Sequence, residues 1–210
     1  MKVSIILAHP DKNSFNHAIS KTVIETLTKN GYETSLRDLY EERFDPLLFH
    51  AEFSKDAAIP EEIQDHCDEI SSADGIIVIH PNWWGQAPAV LKGWIDRVIR
   101  PGVAYEFLDG DSGEGIPKGL LNARVALVFN TSNTFSERER KVFGDPLERI
   151  WKDCVFGLCG VETTERRVYT AIVTSSQQQR ESWLSETKSL VNKHFPENMI
   201  ASQDKAVQRH

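Results

Sequence analysis

Short apolar runs alternate with stretches of helical spacing along most of the chain. Five runs have the composition of β-strands, at residues 3–8, 34–38, 75–79, 124–130 and 165–170. Elsewhere apolar residues recur every three or four positions, which predicts helices over residues 16–30, from residue 60 onward, and over 87–98, 146–158 and 175–194. Residues 45–60 lack either pattern. Strands that alternate with helices are typical of a parallel sheet covered on both faces.

The order of the strands predicts where a ligand would bind. With the first strand central, the α/β pattern gives a doubly wound parallel five-stranded sheet of order 2-1-3-4-5. Such sheets bind ligands beyond the carboxyl ends of their strands, at the point where the strand order reverses. The loops after the first, third and fourth strands, at residues 9–15, 81–85 and 130–136, are therefore expected to meet at one crevice.

Two adjacent tryptophans, Trp83 and Trp84, lie on the loop after the third predicted strand, between Pro81 and Gly85. Large aromatic side chains on an exposed loop are unfavourable for solubility unless they hold something flat. They could also serve only to cover the end of the sheet. The residues alone leave both interpretations open.

The other two loops are polar. His9, Ser14 and Asn16 lie where a strand passes into a helix, and backbone N–H groups at a helix start form an anion site. Ser14 or Asn16 could equally just cap the helix. The run 130–134 is either a plain turn or a set of donors for the polar edge of a ring.

Composition narrows the class of protein. The 210 residues carry a net charge of −7, with a pI near 5.5, which argues against nucleic acid as a partner. No apolar run is long enough for membrane insertion. Cys67, Cys154 and Cys159 have no paired metal spacing, so we expect reduced packing residues, no metal and a cytoplasmic protein. Residues 1–195 are interpreted as a single domain and residues 196–210 as a polar, flexible tail.

Several blocks of sequence are recognisable together. They are Ala8-His9-Pro10, Ser14-Phe15-Asn16, the run 71–74, the long block PNWWGQAPAVLKGWIDRV at 81–98, and the run 102–107. On these motifs the chain resembles the flavodoxin-like NAD(P)H:quinone oxidoreductases, the diaphorase-type two-electron quinone reductases and their bacterial relatives. The resemblance covers nearly everything from residue 1 to about residue 195. It implies a flavodoxin-like three-layer sandwich, a bound flavin, NAD(P)H as hydride donor, a quinone or similar acceptor, and a homodimer.

The resemblance also implies roles for individual residues. Those matching the flavin phosphate site are His9, Ser14, Phe15 and Asn16. Those matching the loop against the flavin ring are Pro81, Asn82, Trp83, Trp84 and Gly85, and those matching the pyrimidine edge are Asn130, Thr131, Ser132 and Asn133. Arg180 matches an arginine near an FAD diphosphate, which favours FAD, with FMN second. Tyr105 and Phe107 match aromatics that a partner subunit contributes to the substrate pocket.

One departure concerns catalysis. Diaphorase-type enzymes carry a tyrosine and a histidine after the polar loop, whereas residues 135–145 here contain neither. Arg138 could supply positive charge, although a charged run of this kind is usually a solvated helix face. The catalytic candidates are therefore Tyr105, Phe107, Trp84 and Arg138, and turnover with simple quinones is expected to be slow.

Two other functional classes stay open. The chain could be a flavoprotein regulatory subunit with little turnover, as in potassium-efflux systems. It could also be a one-electron carrier, but carriers of that kind are smaller and more acidic.

Overall fold

The computed structural model describes residues 1–54, 57–108 and 114–197. Its strands are β1 (Lys2–Leu7), β2 (Glu33–Asp38), β3 (Gly75–Pro81), β4 (Tyr105–Glu106), β5 (Lys118–Gly119), β6 (Val125–Thr131) and β7 (Thr163–Tyr169). Five of them form a parallel sheet in the order β2-β1-β3-β6-β7. Since β4 and β5 lie outside that sheet, this is the order 2-1-3-4-5, and the flavodoxin-like prediction is confirmed.

Helices cover both faces of the sheet. They are α1 (Phe15–Lys29), α2 (Glu61–Ser72), α3 (Ala89–Val98), α4 (Ser136–Arg138), α5 (Pro146–Arg149) and α6 (Gln177–His194). Two π-helical segments continue α4 and α5, over Glu139–Phe143 and Ile150–Gly157, and two 3₁₀ turns occupy His50–Glu52 and Ile172–Thr174. No helix among the described residues is long and apolar enough to cross a membrane.

Alternation along the strands divides the apolar residues between two cores. Ile6 on β1 faces the core that contains Ile63 of α2 and Trp94 of α3. Ile5, its neighbour, faces the core that contains Ile19 of α1 and Val191 of α6. Successive side chains on a strand point to opposite faces, so one apolar strand serves both layers. The three-layer arrangement follows from this.

The structure differs from the expected elements in three places. The hairpin of β4 and β5 was not expected, because two-residue strands carry no periodic signal. The helix predicted over residues 146–158 has the right extent, but most of it is π-helical. The fourth long strand extends through Thr131, one residue beyond its predicted end at Asn130, so the loop that follows it begins at Ser132.

Two of the three cysteines are buried. Cys67 and Cys159 are buried packing residues, and burial raises the pKa of their thiols to about 11 and about 12. Cys154 is exposed, so the expectation that all three are packing residues was wrong for this one. The predicted tail lies outside the described residues from residue 198 onward.

Candidate active site

One cleft of about 720 Å³ opens at the carboxyl ends of β1, β3 and β6. A volume of this size is in the range of small-molecule and cofactor sites. From the predicted set it is lined by His9, Ser14, Phe15, Asn16, Pro81, Asn82, Trp83, Trp84, Gly85, Thr131, Ser132, Asn133, Arg138 and Arg180. The structure therefore brings together the three loops that the strand order places at one edge.

The first loop ends in a capped helix. Ser14 is the N-cap of α1, with extended backbone angles, and its side chain accepts a hydrogen bond from the His17 N–H. Ser14 can cap α1 and also line the cleft, because the first N–H groups of a helix that have no partner within the helix point away from its start. The loop therefore provides a site for negative charge at one end of the cleft.

Asn16 joins this loop to the end of β6. Its side-chain amide donates to Thr131 Oγ1 at 2.9 Å, and the residue is 2% exposed. Its Oδ1 has no hydrogen-bond partner among the described residues. A buried acceptor without a donor is costly, so this atom is suited to a donor group on a ligand.

His9 lies between the anion end and the tryptophan loop. Its Nδ1 accepts from the Asp11 N–H at 3.0 Å, and its ring lies 6.1 Å from that of Trp83. Burial is the largest cause that lowers the pKa of His9 from its usual value. A neutral His9 offers the cleft a hydrogen-bonding edge without a fixed charge.

The tryptophan loop is a tight two-residue turn. Trp83 and Gln86 exchange both backbone hydrogen bonds, at 3.0 and 3.1 Å, and φ is +59° at Trp84 and +71° at Gly85. This is the type I′ pattern, which favours glycine or asparagine at both central positions. Trp84 holds a strained conformation there and is 100% exposed. Strain at an exposed aromatic residue points to a functional position.

Asn82 fixes the base of that turn. Its Oδ1 accepts from the Gly85 N–H at 2.9 Å, and its Nδ2 donates to Glu139 Oε1 at 3.0 Å. Its backbone N–H donates to the Thr131 carbonyl at 2.7 Å. The turn is thus anchored to both β6 and the π-helical segment Glu139–Phe143.

Sequence reasoning missed Glu139. It is 7% exposed and lines the cleft, although its neighbours on the charged run are exposed, as expected for a solvated face. No local pattern distinguishes it from Glu137, because Asn82, the residue that donates to its carboxylate, is 57 residues away. The other lining residues that were not predicted are Asn13, Thr134, Phe143, Pro146, Ile172 and Val173.

Asn130 does not line the cleft. It is fully buried, and its amide donates to His80 Nε2 at 2.9 Å while its Oδ1 accepts from Arg166 Nε at 2.6 Å. Trp151 Nε1 donates to the same His80 nitrogen at 2.9 Å. Two donors on Nε2 make it an acceptor, so His80 is neutral with its proton on Nδ1. Burial, followed by the nearby Arg166 charge, lowers the pKa of His80 to about 4.

Ser132 and Asn133 complete the turn after β6. Ser132 Oγ accepts from the Thr134 N–H at 3.0 Å, and Asn133 Oδ1 accepts from the Val173 N–H at 3.2 Å. These bonds occupy the side-chain acceptors of the turn and connect it to the segment that follows β7. A ligand at this end of the cleft would contact a backbone whose conformation these hydrogen bonds fix.

Two arginines border the cleft. Arg180 on α6 donates to Ser175 Oγ at 2.8 Å and to the Ile172 carbonyl at 3.1 Å, so it is held against the 3₁₀ turn Ile172–Thr174. Arg138 is exposed, and its guanidinium lies 5.8 Å from the centre of the Phe143 ring. Both charges lie at the cleft and not merely on the outer surface.

Tyr105 and Phe107 lie elsewhere. They belong to the β4 hairpin and its continuation, with ring centres 5.8 Å apart in an edge-to-face arrangement. Neither lines the cleft of its own chain. Within one chain the structure therefore does not bring these two candidates to the other site residues.

Comparison with known proteins agrees with this architecture. The family model described as a flavodoxin-like fold matches residues 1–191. An uncharacterized NAD(P)H oxidoreductase of Haemophilus influenzae is 35% identical over 169 residues, which cover 79% of this chain and 81% of that protein. The mouse (Mus musculus) ribosyldihydronicotinamide dehydrogenase [quinone] is 27% identical over 219 residues, covering 90% and 91%.

A solved structure points the same way. The NAD(P)H:quinone oxidoreductase of Methanothermobacter marburgensis superposes with a TM-score of 0.77 at 25% identity, over 92% of this chain and 97% of that one. The resemblance inferred from the motifs is confirmed. The chain belongs to the flavodoxin-like fold family, among its NAD(P)H:quinone oxidoreductases.

Proposed function

We propose that the protein is a flavin-dependent NAD(P)H oxidoreductase that reduces quinones or similar acceptors by two electrons. The observation that carries the proposal is the single cleft in which the anion end at Ser14, the tryptophan turn and the turn after β6 come together. The named relatives, an NAD(P)H oxidoreductase and quinone dehydrogenases, support the same reaction class. When bound, a flavin supplies the redox chemistry, taking hydride from NAD(P)H and passing it to the acceptor.

The residues present fit a flavin. The start of α1 with Ser14 and Phe15 suits the phosphate end, because helix N-termini favour anions. The unpartnered Asn16 Oδ1 suits a hydroxyl of the sugar-like chain, since a hydroxyl can donate to it. His9 adds a neutral hydrogen-bonding edge beside them.

The other end of the cleft suits a flat ring. Pro81, Asn82, Trp83, Trp84 and Gly85 form a hydrogen-bonded turn that would cover one side of a bound ring and exclude water from it. Opposite it, the backbone at Thr131, Ser132 and Asn133 would meet the pyrimidine edge. The Ser132 N–H already donates to the Tyr169 carbonyl at 2.8 Å. Any other fixed N–H donor of this turn would stabilise negative charge on the reduced ring without having to reorganise. Asn130 would not contact the flavin, but its hydrogen bonds to His80 and Arg166 would fix the position of the end of β6.

Arg180 is the basis for preferring FAD to FMN. Its guanidinium is held at the cleft by Ser175 and Ile172 and belongs to α6, whereas Ser14 caps α1. A second phosphate would be a natural partner for this group. FMN remains the second choice for the resident flavin.

The substrate pocket is proposed to form across a homodimer. Tyr105 and Phe107 do not reach the cleft of their own chain, but their rings are in contact; Tyr105 is half-buried and Phe107 is 39% exposed. The same residues from a second copy would complete the acceptor pocket above the ring. Arg138, also at the cleft, is assigned to stabilising developing negative charge.

Residues 1–195 are proposed to act as one flavin-binding domain. The proposed location is the cytoplasm, which supplies NAD(P)H and keeps cysteines such as Cys67 and Cys159 reduced. The named relatives do not favour the alternative, a flavoprotein regulatory subunit, and measurable turnover with a quinone, even if slow, would rule it out.

Two measurements test the proposed function. Flavin released by denaturing the purified protein is identified by chromatography, and a colourless protein that takes up neither FAD nor FMN would contradict the proposal. NAD(P)H oxidation is then followed with menadione as acceptor. Donor and acceptor share one site in this scheme, so parallel double-reciprocal lines are expected. Intersecting lines would contradict the shared site, and absent turnover with flavin bound would favour the regulatory subunit.

A further inference from the structure

A chain of hydrogen bonds runs from the anion end of the cleft to the end of β2. Ser14 Oγ and His17 Nδ1 are 3.0 Å apart, and His17 Nε2 is 3.1 Å from Asp38 Oδ2. The His17 and Asp38 side chains are 19% and 12% exposed, so the chain is largely screened from solvent. Ser14 faces the cleft, whereas His17 and Asp38 lie behind it and do not line it.

Asp38 keeps a proton on the Nε2 atom of His17. Its Oδ1 already accepts from the N–H groups of Tyr40 and Glu41, each at 3.2 Å, so the carboxylate is fixed in place. At neutral pH a carboxylate accepts and does not donate. The His17 Nε2 atom therefore carries a proton and donates to Asp38, and only Nδ1 can change state.

The state of His17 Nδ1 sets what Ser14 offers to the cleft. When Nδ1 is unprotonated, the single hydroxyl hydrogen of Ser14 is donated to it, and only oxygen lone pairs remain for a ligand. When Nδ1 is protonated, it donates to Ser14 Oγ, and the hydroxyl hydrogen is free to be donated into the cleft. An anion is repelled by the first arrangement and bound by the second.

We propose that His17 is a positioning residue for a phosphate-bearing ligand, and that the phosphate binds together with a proton taken from solvent by His17 Nδ1. In the bound state His17 donates one hydrogen bond to Asp38 and another to Ser14, and Ser14 donates its hydroxyl hydrogen to the phosphate. An N–H bond forms at His17 Nδ1 with a proton that water or the buffer acid gives up, no bond between heavy atoms changes, and the added positive charge partly offsets the charge of the ligand. This proposal rests on the proposed function, because it takes the flavin phosphate to be the ligand at Ser14.

The neighbouring groups favour His17 over His9 as the site of this charge. The two rings lie 6.4 Å apart, and burial, the largest cause, together with the charge of His17, lowers the pKa of His9. Two adjacent imidazoliums would repel each other, so one ring stays neutral. His17 is the one with a carboxylate on its outer nitrogen.

Three other charged groups surround the pair. Asp11, on the loop before α1, interacts favourably with a positive His9. Lys12 is paired with Glu41 at 2.7 Å, and both are exposed. The Lys12–Glu41 pair carries no net charge, so Asp38 is the group that stabilises a protonated His17.

Proton uptake measured by calorimetry tests the proposal. FAD is titrated into the full-length flavin-free protein at pH 7.5 in buffers of different ionisation enthalpy, and riboflavin serves as a ligand that lacks phosphate. FAD is the chosen probe because a diphosphate diester has no group like the second ionisation of a phosphate monoester near pH 6. We expect uptake of up to about one proton per FAD and none with riboflavin.

Variants assign the proton to His17. His17→Gln should abolish the uptake and weaken FAD binding at pH 6.5 by about tenfold, while riboflavin binding stays unchanged. Asp38→Asn keeps an acceptor for the Tyr40 and Glu41 N–H groups and should reduce the uptake. Lys21→Gln, an exposed change on the same helix, is the control and should alter neither quantity.

The outcomes separate the two proposals. FAD binding without proton uptake, or with the same uptake in His17→Gln, overturns the role of His17 and leaves the proposed function intact. Failure of the wild-type protein to bind either FAD or FMN overturns the proposed function and this inference together. Loss of uptake in His17→Gln alongside normal riboflavin binding supports it.

Discussion

Trp84 combines a strained backbone conformation with a fully exposed side chain. A left-handed conformation costs a residue other than glycine about 1–2 kcal/mol, and Trp84 adopts it with φ at +59°. Its ring is 100% exposed, so no packing within the chain repays that cost. We propose that Trp84 is present for ligand binding, and we expect that replacing it with glycine relieves the unfavourable free energy of the left-handed backbone.

Comparing Trp84→Gly with Trp84→Ala isolates the backbone strain. Both variants remove the ring, but only glycine relieves the left-handed strain, so Trp84→Gly should be more stable than Trp84→Ala by about 1 kcal/mol. Urea denaturation of the flavin-free proteins measures this difference. Both should bind flavin or acceptor more weakly than the wild type. Equal stability of the two would mean that the turn is not strained.

Arg180 separates the two flavins. If it binds the second phosphate, Arg180→Ala should weaken FAD binding by about 2 kcal/mol and leave FMN binding nearly unchanged. Equilibrium titration of both flavins measures this. Ser175→Ala is the control, because it removes a contact that holds Arg180 while retaining the guanidinium. Equal losses for FAD and FMN would assign Arg180 to supporting the loop.

At the scale of elements, α3 depends on one glycine for its packing. A Cβ on Gly93 would come within 2.2 Å of the Pro46 carbonyl oxygen and 2.4 Å of its Cα. Just beyond, Arg97 donates to Glu52 and to the Asp45 carbonyl, so the long connection after β2 is held against α3 at two points. Backbone lies at the contact, so no side chain can rotate to make room.

Gly93→Ala should therefore be destabilising despite the higher helix propensity of alanine. We expect a loss of about 1–3 kcal/mol, typical of overpacking. The control is Lys92→Ala on the exposed face of the same helix, which should change stability little. Chemical denaturation measures both, and a Gly93→Ala variant as stable as the wild type would show that residue 46 can move away freely.

At the scale of the whole molecule, buried polar groups join three strands behind the cleft. His80 on β3, Asn130 on β6 and Arg166 on β7 form a continuous set of hydrogen bonds, and Arg166 also contacts Asp145 and Glu148 at 3.0 Å. These bonds hold in register the strands that carry two of the cleft turns. Their integrity requires a neutral His80.

This requirement makes stability depend on pH. The pKa of His80 falls from 6.5 to about 4 on folding, so between these values the unfolded chain binds more protons than the folded one. The contribution of His80 to stability is complete above pH 6.5 and is lost as the pH falls toward 4, by roughly 3 kcal/mol. Urea midpoints between pH 4 and 7 measure it. His80→Gln should have a shallower slope, and an unchanged slope would exclude His80 as the cause.

Assembly is the second property of the whole molecule. If the Tyr105–Phe107 pair completes the pocket of a second copy, light scattering should find a dimer, and Phe107→Glu should give a monomer that keeps its flavin but reduces acceptors slowly. Leu36→Glu, another exposed apolar residue, on the edge strand β2, is the control. An active wild-type monomer at micromolar concentration would contradict the dimer.

The sequence determined the strand order and the location of the cleft. Apolar periodicity identified five strands and the helices between them, and the chain connectivity then placed the loops at residues 9–15 and 81–85 at one edge. Both inferences depend on local spacing and on a general rule of handed connections, so no long-range contact had to be known. The motifs at Ser14 and Trp83 added the chemistry of that edge.

Only the tertiary structure decided which side chains act together. Asn130 faces His80 whereas the next residue, Thr131, lines the cleft, because each step along a strand reverses the direction of the side chain. The buried Glu139 accepts a hydrogen bond from an amide 57 residues away, and His17 contacts a carboxylate 21 residues away. Partners so distant in sequence leave no periodic trace, because their contact is created by the packing of separate elements and not by either segment alone.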